Sequence, residues 1–222
     1  MKTQILPSLL AADYGSLADE IRRAEDSLAD ALHIDIMDPG FVPNLSFGPD
    51  VVALCRKVAP GFYRNVHLMM RRPDLYLEPF AAAGAQTLQL HIEADCDLHR
   101  TLKRVRELGV KPAIVLNPET PVEILRPYIG EVQEILVMTV HPGYGGQKFI
   151  ADCLPKISWL RERAPDLDIM IDGGGNETTI PQAARAGANQ FVAGSYLFRQ
   201  NDMRAAVADL RARISACART EV

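Results

Sequence analysis

The feature that most constrains the fold of this chain is a regular alternation of short apolar runs with longer segments of helical periodicity. Each run is short, rich in Ile, Val and Leu and typical of a buried strand. Such alternation favours βαβ units and a parallel sheet. The eight predicted strands are Gln4–Leu9, Ala31–Ile36, Tyr63–Met69, Thr87–His91, Lys111–Leu116, Glu134–Val140, Asp168–Ile171 and Gln190–Ala193.

Amphipathic helices are predicted between these strands, and glycines mark the ends of some of them. Ala83-Gly84-Ala85 recurs as Ala186-Gly187-Ala188, and Gly109 holds an equivalent place. Each glycine can end a helix in the left-handed conformation just before the next strand. The predicted helices are Ser16–Leu28, Pro73–Ala83, Asp97–Leu108, Ala151–Arg163 and Thr178–Ala186.

Eight strand-and-helix units in 222 residues fit an α/β fold of one kind, a single (β/α)8 TIM barrel that occupies residues 1–222 as one domain. The alternative is an open doubly wound sheet, which predicts a glycine-rich turn after the first strand. The first strand ends instead in Leu6-Pro7-Ser8-Leu9-Leu10, without such a turn. The barrel is therefore preferred.

Polar side chains stand near the ends of several predicted strands, where a barrel gathers its active site. His33 and Asp35 share one face of the second strand because strand side chains alternate with a period of two. His67 on the third strand and Asp172 after the seventh are expected to converge on the same mouth of the barrel. This set of nitrogen and oxygen donors suits one divalent ion per chain, Zn²⁺, Fe²⁺, Mn²⁺ or Co²⁺, rather than calcium.

Each of these residues has a simpler interpretation when it is taken alone. His33 and Asp35 can form a hydrogen-bonded pair, and His67 can be a core histidine with its hydrogen bonds satisfied. Convergence of all four groups favours the metal site. His91 would lie outside the ligand set, and His99 lies on a predicted helix in solvent.

Three glycine-rich turns follow the sixth, seventh and eighth predicted strands. Glycine lets backbone amide groups approach an anion closely. Loops after strands seven and eight are where many barrels hold a phosphate. A flexible turn is the alternative for each segment alone, but together the turns predict a phosphorylated substrate. They are His141–Phe149, Asp172–Gly175 and Ala193–Ser195.

The charge and the cysteine content of the chain indicate which binding partners and which cellular compartment to expect. A net charge of -4 argues against nucleic acid or an anionic membrane as partner. The four cysteines form no CxxC pair, which indicates free thiols in a reducing cytoplasm. The apolar run near the N-terminus is short and broken by Pro7, so neither a membrane span nor a signal peptide is expected. A homo-oligomer is left open.

Seven motifs resemble, in order and spacing, those of the ribulose-phosphate 3-epimerases. They are PSLLAADYGSL, HIDIMDPGFVPN, VHLMM, LNPETP, VMTVHPGYGGQKF, IDGGGN and FVAGS, and they run from about Ile5 to Phe198. The resemblance implies a metal-dependent (β/α)8 isomerase of the pentose phosphate pathway. Such an enzyme interconverts D-ribulose 5-phosphate and D-xylulose 5-phosphate through an enediolate.

The same resemblance implies a role for each matching residue. His33, Asp35, His67 and Asp172 correspond to metal ligands, and Asp35 and Asp172 also to the acid and the base. The methionines that match those lining the reaction centre are Met37, Met69 and Met138. The residues implied to bind substrate and phosphate are Ser8, His67, Gly143, Tyr144, Gly145, Gly146, Asp172, Gly173, Gly174, Gly194 and Ser195.

The chain departs from the family pattern on the substrate side. Asp38 is followed by Pro39-Gly40, which forces Asp38 toward an extended conformation. His141 stands where the family more often has Asn or an acidic residue, and the segment after Asp172 is richer in glycine. The identity of the sugar therefore stays open. One alternative is an epimerase of another ketose phosphate, such as D-allulose 6-phosphate. The other is a non-catalytic sugar-phosphate-binding barrel, which the presence of both aspartates disfavours.

Overall fold

Eight parallel strands in the computed structural model, which describes residues 1–218, form one sheet in the order β1-β8-β7-β6-β5-β4-β3-β2. An isolated bridge between Ser8 and His33 joins the two outer strands and nearly closes the sheet. The predicted (β/α)8 TIM barrel is confirmed. The strands are β1 Gln4–Pro7, β2 Ala31–Met37, β3 Tyr63–Met69, β4 Thr87–His91, β5 Lys111–Leu116, β6 Glu134–Met138, β7 Asp168–Asp172 and β8 Gln190–Ala193.

Helices cover the outside of the sheet, and a 3-10 helix, Val122–Tyr128, takes the place of an α-helix between β5 and β6. None of the helices in residues 1–218 is both long enough and apolar enough to cross a lipid bilayer. The α-helices are α1 Leu17–Asp26, α2 Pro49–Val58, α3 Leu77–Ala83, α4 Leu98–Glu107, α5 Leu154–Arg163, α6 Thr179–Ala186, α7 Ser195–Phe198 and α8 Met203–Ala218.

The helix boundaries differ from the sequence prediction where the backbone leaves the helical region. The predicted helix Pro73–Ala83 is a 3-10 turn followed by α3, because Tyr76 between them has a φ of -124°. Two long helices, α2 and α8, were not predicted. The Gly48-Pro49 pair at the start of α2 was a usable signal, since proline favours the first turn of a helix. Gly84 and Gly187 end α3 and α6 with φ of 105° and 112°, as predicted.

Strand side chains alternate between a predominantly apolar outer layer and a mixed barrel interior. Ile34 and Ile36 of β2 belong to the large core between sheet and helices. His33 and Asp35, which alternate with them, face the interior together with His67 of β3. Burying so many polar groups is tolerated only when they are hydrogen-bonded, paired or bound to metal.

At the N-terminal end of the barrel, a buried carboxylate is held by three donors. Glu134 is 2% exposed. Its Oε1 accepts hydrogen bonds from Asn65 Nδ2 at 3.1 Å and Gln89 Nε2 at 2.8 Å. Its Oε2 lies 3.0 Å from Lys111 Nζ. This face stabilises the barrel, whereas the opposite end carries the site.

Replacing Lys111 with methionine should lower the free energy of unfolding, because it leaves the Glu134 charge buried without its cation. The expected loss is about 2 to 3 kcal/mol, below the usual cost of breaking a fully buried pair since 27% of the Lys111 side chain is exposed. Urea unfolding measures it. Lys57→Met, at an exposed position on α2, should stay within about 0.5 kcal/mol of wild type. Equal stability of the two variants would contradict this account.

Candidate active site and metal centre

Four side chains converge at the C-terminal end of the barrel. One ligand atom from each of His33, Asp35, His67 and Asp172 lies within 4.8 Å of the others. The two imidazoles are fully buried, and Asp35 is 3% exposed. The sequence therefore predicted correctly that these residues come together, and the group is able to hold a metal ion.

The distances within this cluster suit a cation at its centre. Asp35 Oδ1 lies 3.2 Å from both His33 Nε2 and His67 Nδ1, and Asp172 Oδ2 lies 3.6 Å from each of the same nitrogens. These values are close to the roughly 3.3 Å that separates two ligands of a four-coordinate zinc ion. His33 Nε2 is buried and makes no hydrogen bond. A buried nitrogen that makes no hydrogen bond and that faces two carboxylates fits a divalent ion.

The charges of the cluster point to the same conclusion. Burial alone would lower the pKa of His33, but Asp35 and Asp172 raise it to about 10. Burial would raise the pKa of Asp35, yet His33 and His67 hold it well below its usual range. The pKa of Asp172 is also lowered, because its interactions with both imidazoles outweigh burial and the charge of Asp35. The centre of the cluster therefore favours positive charge, which a divalent cation supplies.

Each histidine of the cluster also makes a hydrogen bond on the side of its ring that faces away from the cluster. His33 Nδ1 lies 3.1 Å from Asn65 Oδ1. His67 Nε2 lies 2.9 Å from His91 Nε2. Burial lowers the pKa of His91 to about 4, so its ring is neutral near pH 7. Sequence reasoning left Asn65 without a role and His91 outside the ligands, although Asn65-x-His67 repeats the two-residue spacing of His33-x-Asp35.

A cavity of about 460 Å³ opens over the cluster. Asp35 and Asp172 form part of its wall, as do the three methionines predicted to line the reaction centre, Met37, Met69 and Met138. These methionines are between 1% and 3% exposed, so their thioethers lie packed against the site. Their contribution to chemistry stays a prediction.

The residues predicted to bind substrate lie on this cavity, with one exception. His67 does not line it and is fully buried. Ser8 lines the cavity and donates a hydrogen bond of 2.6 Å to Asp35 Oδ2. The others on the wall are Gly143, Tyr144, Gly145, Gly146, Asp172, Gly173, Gly174, Gly194 and Ser195.

The glycine turns bring backbone amides to one side of the cavity. Gly174 has a φ of 68°, and a Cβ on it would lie 2.7 Å from the backbone nitrogen of Phe149. Glycine is therefore required where these two loops touch. Within residues 1–218, the amide groups of Gly145, Gly146 and Gly174 donate no hydrogen bond to the protein. They are suited to an anion.

The loop after β6 is tied across the cavity mouth to the loop after β2. Asn44 Nδ2 donates to the carbonyl of Gly143 at 2.7 Å, and the Tyr144 hydroxyl donates to the carbonyl of Pro43 at 2.6 Å. Asn44 was not predicted as a functional residue. The two loops are about 100 residues apart in the chain, so no local sequence pattern predicts their contact, which depends on the fold.

The departures from the family motifs have structural explanations. Asp38 closes the loop after β2, since its carboxylate accepts hydrogen bonds from the backbone nitrogens of Gly40, Phe41 and Arg71. His141 forms an exposed ion pair with Glu119, with Nδ1 and Oε1 2.7 Å apart. Neither change disturbs His33 or Asp35.

The fold and the cluster together define a class of protein: a (β/α)8 barrel with a metal-capable active centre. The profile of the ribulose-phosphate 3 epimerase family matches residues 4–198. The chain belongs to this family, and it is an epimerase of the isomerase class.

Relatives of this family align along almost the whole chain. A ribulose-phosphate 3-epimerase of Bacillus subtilis (strain 168) is 44% identical over 213 residues, 94% of this chain and 98% of the relative. One of Synechocystis sp. is 43% identical over 213 residues, 93% of this chain and 92% of the relative. The crystal structure of KGPDC from Streptococcus mutans covers 98% of this chain and 99% of its own, with a TM-score of 0.73. At 13% identity, that likeness shows the fold alone.

Removing the metal should lower the Tm of the protein. A variant that lacks one of the four proposed metal ligands should show no change in Tm when zinc is added or removed. Free zinc at 100 times its Kd should stabilise wild type by about 2.7 kcal/mol, which is roughly 5 to 10 °C in Tm. The Tm of His67→Ala should not respond to zinc. His99→Ala, at an exposed histidine, should respond like wild type. Calorimetry with and without chelator measures this, and an undiminished zinc response in His67→Ala would contradict the site.

Proposed function

We propose that this epimerase interconverts D-ribulose 5-phosphate and D-xylulose 5-phosphate by inverting carbon 3. The observation that most supports this proposal is that Asp35 and Asp172, which both belong to the metal-capable cluster, line the wall of one cavity. The substrate named for the aligned relatives supports this choice.

Inversion at carbon 3 requires two proton transfers on opposite faces of that carbon. The proton next to the ketone is removed, an enediolate forms, and a proton returns to the other face. Asp35 comes from β2 and Asp172 from β7, strands that do not neighbour each other in the sheet. We assign one aspartate to each face. Ser8 holds Asp35 by donating to Oδ2, so that Oδ1 remains directed at the imidazoles.

The cluster of His33, Asp35, His67 and Asp172 is proposed to hold one divalent ion, Zn²⁺, Fe²⁺, Mn²⁺ or Co²⁺. When bound, such an ion supplies Lewis-acid stabilisation of the negative charge that develops on the ketose oxygens. Met37, Met69 and Met138 give the reacting carbon a wall with no exchangeable proton. Proton transfer is thereby left to the two aspartates.

The phosphate of the substrate is proposed to bind at the glycine turns. Their free amide groups line the same cavity as the two aspartates, which supports binding of the phosphate and of the reacting carbon in one site. Two hydrogen bonds to a charged group, worth about 2 kcal/mol each, correspond to roughly a thousandfold in kcat/KM.

A cytoplasmic location belongs to the same proposal. All four cysteines are free thiols. One relative, from Oryza sativa subsp. japonica, is named as a cytoplasmic isoform and is 44% identical over 199 residues.

A panel of ketoses tests the substrate assignment. We expect D-ribulose 5-phosphate to have the highest kcat/KM, free D-ribulose to fall roughly a thousandfold for want of the phosphate, and D-allulose 6-phosphate to react more slowly than the pentulose. Coupled assays of each epimerisation measure these rates. A higher kcat/KM for the hexulose phosphate would transfer the assignment to that substrate.

Single changes of the two aspartates should separate their roles. Asp35→Asn and Asp172→Asn should each lower net epimerisation by about 10² to 10⁴, because an amide is not a base at neutral pH. The remaining aspartate should still exchange the carbon 3 proton of one epimer with deuterium from heavy water. Mass spectrometry of each epimer with each variant measures exchange, alongside metal content. A metal-loaded variant that epimerises at the wild-type rate would refute the two-base mechanism.

A further inference from the structure

We propose that Glu93 and His91 are positioning residues that determine which nitrogen of His67 carries the proton, so that Nδ1 is free to bind the metal. The inference rests on the metal site of the proposed function. His67 directs Nδ1 at the cluster, 3.2 Å from Asp35 Oδ1, and places Nε2 at 2.9 Å from His91 Nε2. His91 Nδ1 then lies 3.1 Å from Glu93 Oε2. Two imidazoles thus connect the metal centre to a carboxylate.

The Glu93 carboxylate determines which atom is the donor in the Glu93–His91 and His91–His67 hydrogen bonds. Ionised Glu93 only accepts, so His91 Nδ1 is the donor. In an uncharged imidazole the second nitrogen is then an acceptor, and His91 Nε2 accepts from the N–H at His67 Nε2. His67 Nδ1 is therefore left without a proton, which is the form that binds a metal ion.

Glu93 is held so that its two oxygens keep separate tasks. Oε1 accepts hydrogen bonds from the backbone nitrogen of Asn117, at 2.9 Å, and from the Thr120 hydroxyl. Oε2 is left for His91. His91 is fully buried and packs against Phe41 with ring centroids 4.6 Å apart, so bulk water does not compete for its nitrogens.

The substitution Glu93→Gln should reverse donor and acceptor in the hydrogen bonds from residue 93 to His91 and from His91 to His67, while the side chains keep their positions. The Asn117 amide and the Thr120 hydroxyl both donate, so they hold the glutamine oxygen at the Oε1 position and turn the amide NH2 toward His91. That NH2 would donate to His91 Nδ1 and leave the proton on Nε2. His91 would then donate to His67 Nε2 and drive the His67 proton onto Nδ1, where it opposes the metal.

Zinc affinity measured against a chromophoric chelator tests this consequence without reference to turnover. Glu93→Gln should raise the Kd for zinc by about 10- to 100-fold. Thr120→Val removes a donor to Glu93 but keeps the carboxylate, and it should bind zinc within about threefold of wild type. Glu131→Gln makes the same change in the exposed pair with His99 and should leave the Kd unaltered.

Long-range ¹⁵N–¹H correlation spectra of the zinc-bound wild type provide a second measurement that needs no variant. They should show the proton of His91 on Nδ1 and that of His67 on Nε2. The inference is overturned by the opposite assignment, by a wild-type Kd in Glu93→Gln, or by an equal loss in Thr120→Val, which would indicate that Glu93 only supports the loop.

These results are separable from the fate of the proposed function. A wild-type protein that binds zinc but does not epimerise ketose phosphates refutes the activity and leaves the tautomer assignment to stand or fall on the spectra and Kd values. A wild-type protein that binds no divalent metal refutes the positioning role together with the metal site.

Discussion

The register between β2 and β3 is the constraint on which the rest of the site depends. In this register Asp35 pairs with His67, and His33 pairs with Asn65. A slip by one residue would turn every side chain of a strand to the opposite face. A slip of β2 would carry His33 and Asp35 into the apolar layer under the helices, where charged groups are costly to bury. The outer-face residues Ile34 and Ile36 prevent this, because they would lose their own burial in the same slip.

Concentrating charge in the barrel interior is possible because each group has an assigned partner. The two histidines of the cluster are supported in different ways. His33 contacts the side-chain amide of Asn65, whose nitrogen donates to Glu134, and His67 contacts His91, which in turn contacts Glu93. Both series end in a glutamate. The interior therefore connects the face that stabilises the barrel to the face that carries the metal-capable cluster.

The floor of the cavity is formed by strand residues, whereas its mouth is formed by loops. Strand residues form the floor, and their positions follow from the hydrogen-bonded sheet. Loops form the rim, where glycine turns expose backbone amides and where Asn44 and Tyr144 join the loops after β2 and β6. A rigid floor suits the placement of acid, base and metal ligands, and a looped rim suits the admission of a substrate.

The sequence by itself determined the eight strands, the barrel they form and the convergence of His33, Asp35, His67 and Asp172, because strand periodicity and strand ends are local properties. The predicted strand bounds coincide with the structure in β3, β4, β5 and β8, and they differ by one residue in β2 and β7. Only the tertiary structure decided that His91 and Glu93 stand behind His67, that Asn65 stands behind His33, and that Asn44 reaches Gly143. Apart from His91 and Glu93, which are two residues apart, these contacts join residues that are 24 to 99 positions apart in the chain. Their partners depend on inter-strand register and loop path, which no local pattern encodes.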